Sequence, residues 1–116
     1  MNIYRNERIV KDIHRFIVDH LHVSLTVTDV AKQFGYSTEQ LNRIVKETTG
    51  SSPSLYIRSI KINQAKKWLE NSEMTVTEIA HVLGYEYENN FSRMFQNAVG
   101  VQPLIYRNSQ QKKDID

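Results

Sequence analysis

The chain has 116 residues, is 40% hydrophobic and 24% charged, and carries 15 bases against 13 acids for a net charge of +2. That length allows one compact domain or two small subdomains sharing a core, since subdomains of about 50 residues are marginal alone. The absence of cysteine excludes disulfides and thiolate metal sites, no apolar run approaches the roughly 18 residues of a membrane span, and the mixed-charge start, MNIYRNERIVKD, lacks a secretory signal's apolar stretch.

Only two prolines and four glycines occur, all at the edges of helical patterns, and strand-like alternation is absent, so the chain reads as all-α. A first helix over about 5–20 places Ile9, Ile13, Phe16 and Ile17 on one face. A second opens at Thr26, with Thr26 and Asp29 spaced as a capping box, each side chain accepting the other's N–H. Val27, Val30, Ala31 and Phe34 then face inward. Gly35-Tyr36 makes the corner, because glycine tolerates the left-handed backbone a sharp turn needs. A third helix starts after Ser37, again with a box-like Ser37…Gln40 spacing. It buries Leu41, Ile44 and Val45 and ends near Thr49, with Gly50 as its C′ residue.

Ser52-Pro53, a serine N-cap before a proline at the first helical position, opens a fourth helix reaching about Glu70, roughly 27 Å long. Thr75…Glu78 is a further capping box, Gly84-Tyr85 a second corner, and Phe91, Met94 and Phe95 a further buried stripe. Gly100 and a short helix over 103–107 end the fold, and 108–116 is a polar tail.

These elements form a repeat. Residues 26–58 and 75–107 share Thr26/Thr75, Val27/Val76, Thr28/Thr77, Ala31/Ala80, Gly35/Gly84, Tyr36/Tyr85, Arg43/Arg93, Gly50/Gly100, Pro53/Pro103 and Tyr56/Tyr106. The offset is 49 up to the tyrosines and 50 from Leu41/Phe91 onward, so the second copy carries one extra residue. Each copy has the spacing of a helix-turn-helix, whose second helix lies in the DNA major groove with its N-terminal residues on base edges. The expected division is a first subdomain at 1–52, a linker helix at 53–70, a second subdomain at 71–107 and the tail.

With its buried side set by Leu41, Ile44 and Val45, the third helix presents Thr38, Glu39, Asn42, Arg43 and Lys46 outward. Arg43 can donate bidentately to guanine, Asn42 can pair with adenine, and Glu39 can accept from cytosine N4, while Lys46 suits a phosphate. The matching face of the sixth helix presents Glu88, Asn89, Asn90, Ser92 and Arg93. Such faces are most often simply solvated. The recurrence of Arg43 as Arg93, of Glu39 as Glu88, and of matched caps argues for base reading instead. The charge is uneven: residues 26–67 carry seven bases and three acids, net +4, whereas 68–106 carry Arg93 against five glutamates, net −4. A polyanion is expected to feel the first copy more.

Other chemistry is not expected. His20 and His22 are two apart and do not converge on one helix face, and His14 and His81 lack a second ligand at metal spacing. Ser51, Ser52 and Ser54 have no histidine base, and neither paired carboxylates in a cleft nor a glycine-rich phosphate loop occurs. The expectation is therefore no metal, no cofactor and no enzyme, and a DNA-cutting protein lacks its catalytic cluster.

The stretch IAHVLGYEYENNFSRMFQNAVGVQPLIYR, with its IA…GY…FSR.F…G..P..YR framework, and the earlier VAKQFGYSTEQLNRIVKETTGSSPSLYIR resemble the DNA-binding domain of the AraC/XylS family of bacterial transcription regulators, over about residues 8–107. The resemblance implies seven helices in two helix-turn-helix subdomains of the homeodomain-like type, joined by one long helix. Both recognition helices then enter successive major-groove segments of double-stranded DNA, about 34 Å apart. By position it places base reading on Glu39, Gln40, Asn42 and Arg43, and on Glu88, Asn89, Asn90 and Arg93. Backbone contacts fall to Ser37, Lys46, Arg58 and Lys61. It further implies a cytoplasmic activator, with RNA polymerase as a candidate partner, no membrane, and an N-terminal effector or dimerisation domain outside these residues.

Three departures stand against the family pattern. Val45 replaces a common phenylalanine, and Lys61 replaces the usual arginine, keeping the charge but losing the planar fork. Glu86 and Glu88 at the mouth of the sixth helix favour its dipole but repel phosphates. The alternative class is a helical protein-interaction domain that has lost DNA binding, supported by the −4 balance of residues 68–106.

Overall fold

The computed structural model describes residues 3–115, and among them all regular structure is helical: α1 (Ile3–Asp19), α2 (Val27–Phe34), α3 (Thr38–Thr49), α4 (Pro53–Asn71), α5 (Val76–Val82), α6 (Glu88–Val99) and α7 (Pro103–Ile115). Two compact units share them. The first runs to Leu21 and takes Leu25–Ile60; the second takes His22–Ser24 and the chain from Lys61, so the division falls inside α4.

In the first unit α1 buries Val10, Ile13 and Ile17. Ile9 and Phe16, expected on that face, are only half-buried. Adjacent apolar residues leave the register open, and Val10 shares a narrower arc with Ile13 and Ile17 at about 100° per residue. Phe16 still meets Phe34 edge-on, with ring centroids 5.8 Å apart, and so ties α1 to α2. The Thr26 hydroxyl accepts the Asp29 N–H at 3.1 Å, and the Asp29 carboxylate accepts the Thr26 N–H at 2.9 Å. The Thr26 N–H, and after it the Thr26 hydroxyl, hold the Asp29 carboxyl below its ordinary pKa. Gly35 ends α2 at φ 74°, and the Tyr36 N–H returns to the Ala31 carbonyl at 2.9 Å. Ser37 and Gln40 close the second box at the head of α3, whose Leu41, Ile44 and Val45 are buried. The Ser52 hydroxyl accepts the Leu55 N–H at the start of α4.

In the second unit, α5 repeats α2, with the Thr75–Glu78 box closed by bonds of 3.1 and 3.2 Å. Its corner is tighter. At Gly84, φ 86°, an added Cβ would meet the His22 carbonyl oxygen at 3.1 Å, whereas nothing lies within 4 Å of the same position at Gly35. Gly84→Ala combines left-handed strain with a backbone clash and is expected to cost about 1–3 kcal/mol. Gly35→Ala carries the strain alone and should cost less. Urea midpoints of the two variants measure the difference, and equal midpoints would contradict the close approach.

α6 breaks the repeat. Its N-cap is Tyr87, with no side-chain cap bond, so the expected matching of caps holds at the heads of α2 and α5 but not at those of α3 and α6, although α3 and α6 both end on a left-handed glycine, Gly50 and Gly100. Tyrosine lacks the short oxygen arm that reaches an N–H of the first turn. Beneath α6, Phe91 and Phe95 are sealed with Leu69, Ile79 and Leu83, while Met94, expected among them, is half-buried. α7 continues to Ile115, past the short helix expected at 103–107, because no glycine or proline follows Pro103 and its glutamines and lysines favour helix. Asp116, in the expected tail, lies outside the described residues. Arg107 caps the end of α4, donating from Nε to the Leu69 carbonyl at 3.0 Å and from Nη2 to those of Trp68 and Ser72 at 3.3 Å. The Tyr106 hydroxyl donates to the Glu70 carboxylate, and burial together with that bond pushes the phenol up to about 12.

Candidate nucleic-acid interface

α3 is fixed at both ends. The Ser37 box holds its head, and Gly50, at φ 80°, donates its N–H to the Lys46 carbonyl at 2.8 Å. With one side buried, Glu39, Asn42, Arg43 and Lys46 stand exposed at i, i+3, i+4 and i+7, a single stripe along the helix. Gln40 does not join them. Its Oε1 accepts the Ser37 N–H at 2.9 Å, and it lies on the flank that faces α1. The Ser37 hydroxyl oxygen accepts the Gln40 N–H, leaving its O–H as a donor.

α3 and α6 are both 12 residues long, and their first residues, Thr38 and Glu88, are 50 apart. The extra residue of the second copy therefore precedes the helix. Asn89 answers Glu39, and Glu88 answers Thr38, so the acid expected to recur at the Glu39 position does not. The stripe on α6 is Asn89, Ser92, Arg93 and Gln96, with Ser92 half-buried and the others exposed. Gln96, the counterpart of Lys46, is a contact candidate that the sequence reading missed; carrying the offset of 50 one turn past Arg93 finds it. Glu88 and Asn90 are exposed but fall on either side of this stripe.

Lys61, expected to face the DNA backbone, is instead buried at 8% exposure. Its ammonium donates to the Leu83 carbonyl at 3.0 Å and to the Val23 carbonyl at 3.5 Å, and lies 5.4 Å from the Tyr85 ring centroid. It satisfies the carbonyl of Leu83 at the end of α5 and that of Val23 in the connection between α1 and α2, and burial pushes its pKa below that of an ordinary lysine. Arg58 is exposed on α4. Because α4 is divided at Ile60, Lys61, Lys66 and Lys67 all belong to the second unit. The first unit then has eight bases and six acids, and the second seven of each. The contrast between the units shrinks to +2 against zero, and the acids Glu86 and Glu88 remain at the uncapped head of α6.

Among the described residues no three of His, Cys, Asp and Glu gather as a metal site, and no helix is long and apolar enough to cross a membrane.

The chain matches a family described as a helix-turn-helix domain over residues 4–109. It is 34% identical over 112 residues to the uncharacterized HTH-type transcriptional regulator YtdP of Bacillus subtilis (strain 168), covering 97% of this chain and 14% of that protein. It is 32% identical over 92 residues to the HTH-type transcriptional activator RhaS of Escherichia coli O139:H28, covering 79% of this chain and 33% of RhaS. The chain thus spans well under half the length of these relatives. Among solved structures, the C-terminal domain of AraT, a response regulator from Geobacillus stearothermophilus, matches with a TM-score of 0.80 at 31% identity, over 87% of this chain and 84% of that one. The DNA-binding domain of AdpA, solved in complex with a target DNA, shares the fold with a TM-score of 0.80 at 24% identity, over 89% and 93% of the two chains.

Proposed function

The chain belongs to the AraC/XylS family of helix-turn-helix regulators, and from that premise we propose that it is the sequence-specific, double-stranded DNA-binding module of a bacterial transcription activator. α3 and α6 enter successive major-groove segments, with α4 as the link between the two readers. The observation that carries this reading is the exposed stripe of Glu39, Asn42, Arg43 and Lys46 on a helix whose register is fixed by caps at both ends. Glu39, Asn42 and Arg43 read bases in one segment, and Asn89 and Arg93 do so in the other. Lys46, Arg58 and the Ser37 hydroxyl hold phosphates. The activator role follows the likeness to RhaS. It implies work in the cytoplasm beside RNA polymerase, with an effector or dimerisation domain on the longer chain.

Salt dependence tests this. Each neutralised phosphate contributes about 0.9 to the slope of log K against log salt, so three or more contacts give a slope steeper than about −2.7. The competing class, a helical protein-interaction domain, draws on Glu86 and Glu88 at the head of α6. A flat slope together with a tight protein partner would establish it and sink the DNA reading.

A further inference from the structure

We propose that the groove between α1 and α3 in the first unit seats a DNA backbone phosphate, gripped by Arg5 and Tyr36; this rests on the DNA-binding reading above. The groove has a volume of about 390 Å³, and α1 supplies Arg5 and Asn6 to its wall, while Tyr36, Gln40, Arg43 and Glu47 face them.

Its position follows from the recognition stripe. A helix with its side chains is about 10–12 Å across and the major groove about 12 Å wide, so a seated α3 has a sugar-phosphate strand along each flank. The stripe of Glu39, Asn42, Arg43 and Lys46 sets which side meets the bases. Gln40 and Glu47 lie on the adjoining flank, and there the groove opens toward α1. The strand on that side passes over the groove.

The chemistry fits an anion. Arg5 and Arg43, two cationic side chains, both line the groove, and Arg43 is already assigned to a base edge. Arg5 is exposed in the first turn of α1, with a planar fork that matches phosphate geometry. Tyr36, from the corner of the helix-turn-helix, lines the same groove and carries a neutral hydroxyl donor. One acid shares the lining: Glu47, whose Oε2 lies 3.5 Å from Asn6 Nδ2 on the same wall as Arg5, so two arginines against one carboxylate leave the groove cationic by one charge. A phosphate held here couples the angle of α1 to the DNA strand and fixes how deeply α3 sits, without reading a base.

The test compares the chain with Arg5→Ala, Arg5→Lys and Arg15→Ala on cognate and scrambled duplexes. Arg5→Ala should weaken both duplexes alike, by roughly ten-fold, and make the salt slope shallower by about one. Arg5→Lys should restore the slope. Arg15→Ala, the same charge loss about 15 Å further along α1, should leave it unchanged. A single methylphosphonate walked along the strand flanking the α3 half-site should weaken the wild type at one position and leave Arg5→Ala indifferent there. Should Arg5→Ala keep the slope of a steeply salt-dependent wild type, the phosphate seat fails while DNA binding stands. Loss of preference for one base instead would make Arg5 a base reader and overturn the seat. A flat wild-type slope removes both proposals.

Discussion

Phe95→Ala is expected to destabilise the second unit by about 3–5 kcal/mol. A whole domain is stable by only about 5–15 kcal/mol, so most of the margin goes with one side chain. Phe95 is fully buried, with its ring centroid 5.9 Å from Phe91 and 5.6 Å from Tyr106. Truncation removes the transfer energy of the ring, leaves a cavity between α6 and α7, and forfeits two aromatic contacts worth about 0.5–1.5 kcal/mol each. Trp68, the only tryptophan, is half-buried in the same unit, so its fluorescence in a urea titration reads the loss directly. The functional consequence is confined by the architecture. Phe91 and Phe95 hold the underside of α6, and the variant should lose base preference in that half-site before it loses the preference set by α3. An unchanged midpoint would mean that the buried and exposed faces of α6 have been assigned the wrong way round.

Local chemistry explains which parts of this were legible from residues alone. Capping boxes are short-range devices, so Thr26 with Asp29, Ser37 with Gln40 and Thr75 with Glu78 could be read from spacing, and each is formed. The buried stripe of α3 was legible for the same reason. The choice between Ile9 and Val10 was not, since two adjacent apolar residues satisfy a helical period equally and only the packed neighbours decide. Lys61 shows the other limit. Lysine is among the residue types least often buried, and the carbonyls of Leu83 and Val23 that hold it are distant in sequence. The extra residue of the second copy was visible as a change of offset, but its place had to wait for the first residue of α6. That one-residue matter reassigns the partner of Glu39 and brings Gln96 into the candidate set. The charge contrast depends on where α4 divides, and nothing in the composition of α4 marks Ile60 as the end of the first unit.

Arg43→Ala should relax base preference in the α3 half-site by about 1–3 kcal/mol, and Arg93→Ala should do the same in the α6 half-site. If the two helices read independently, the double variant loses the sum, about 2–6 kcal/mol; a clear departure from additivity would mean that one reader positions the other. Arg43→Lys should not restore preference, because a single ammonium cannot replace a bidentate fork on guanine. The two singles are not expected to be equal in affinity. The first unit carries +2 and presents Lys46 at the end of its stripe, where α6 presents the neutral Gln96 behind two acids at its head. Arg43→Ala should therefore remove more total binding, and Arg93→Ala mainly discrimination. Competition binding on duplexes randomised one half-site at a time separates these. Dominance of the α6 half would show that direct base contacts outweigh the electrostatic difference between the copies.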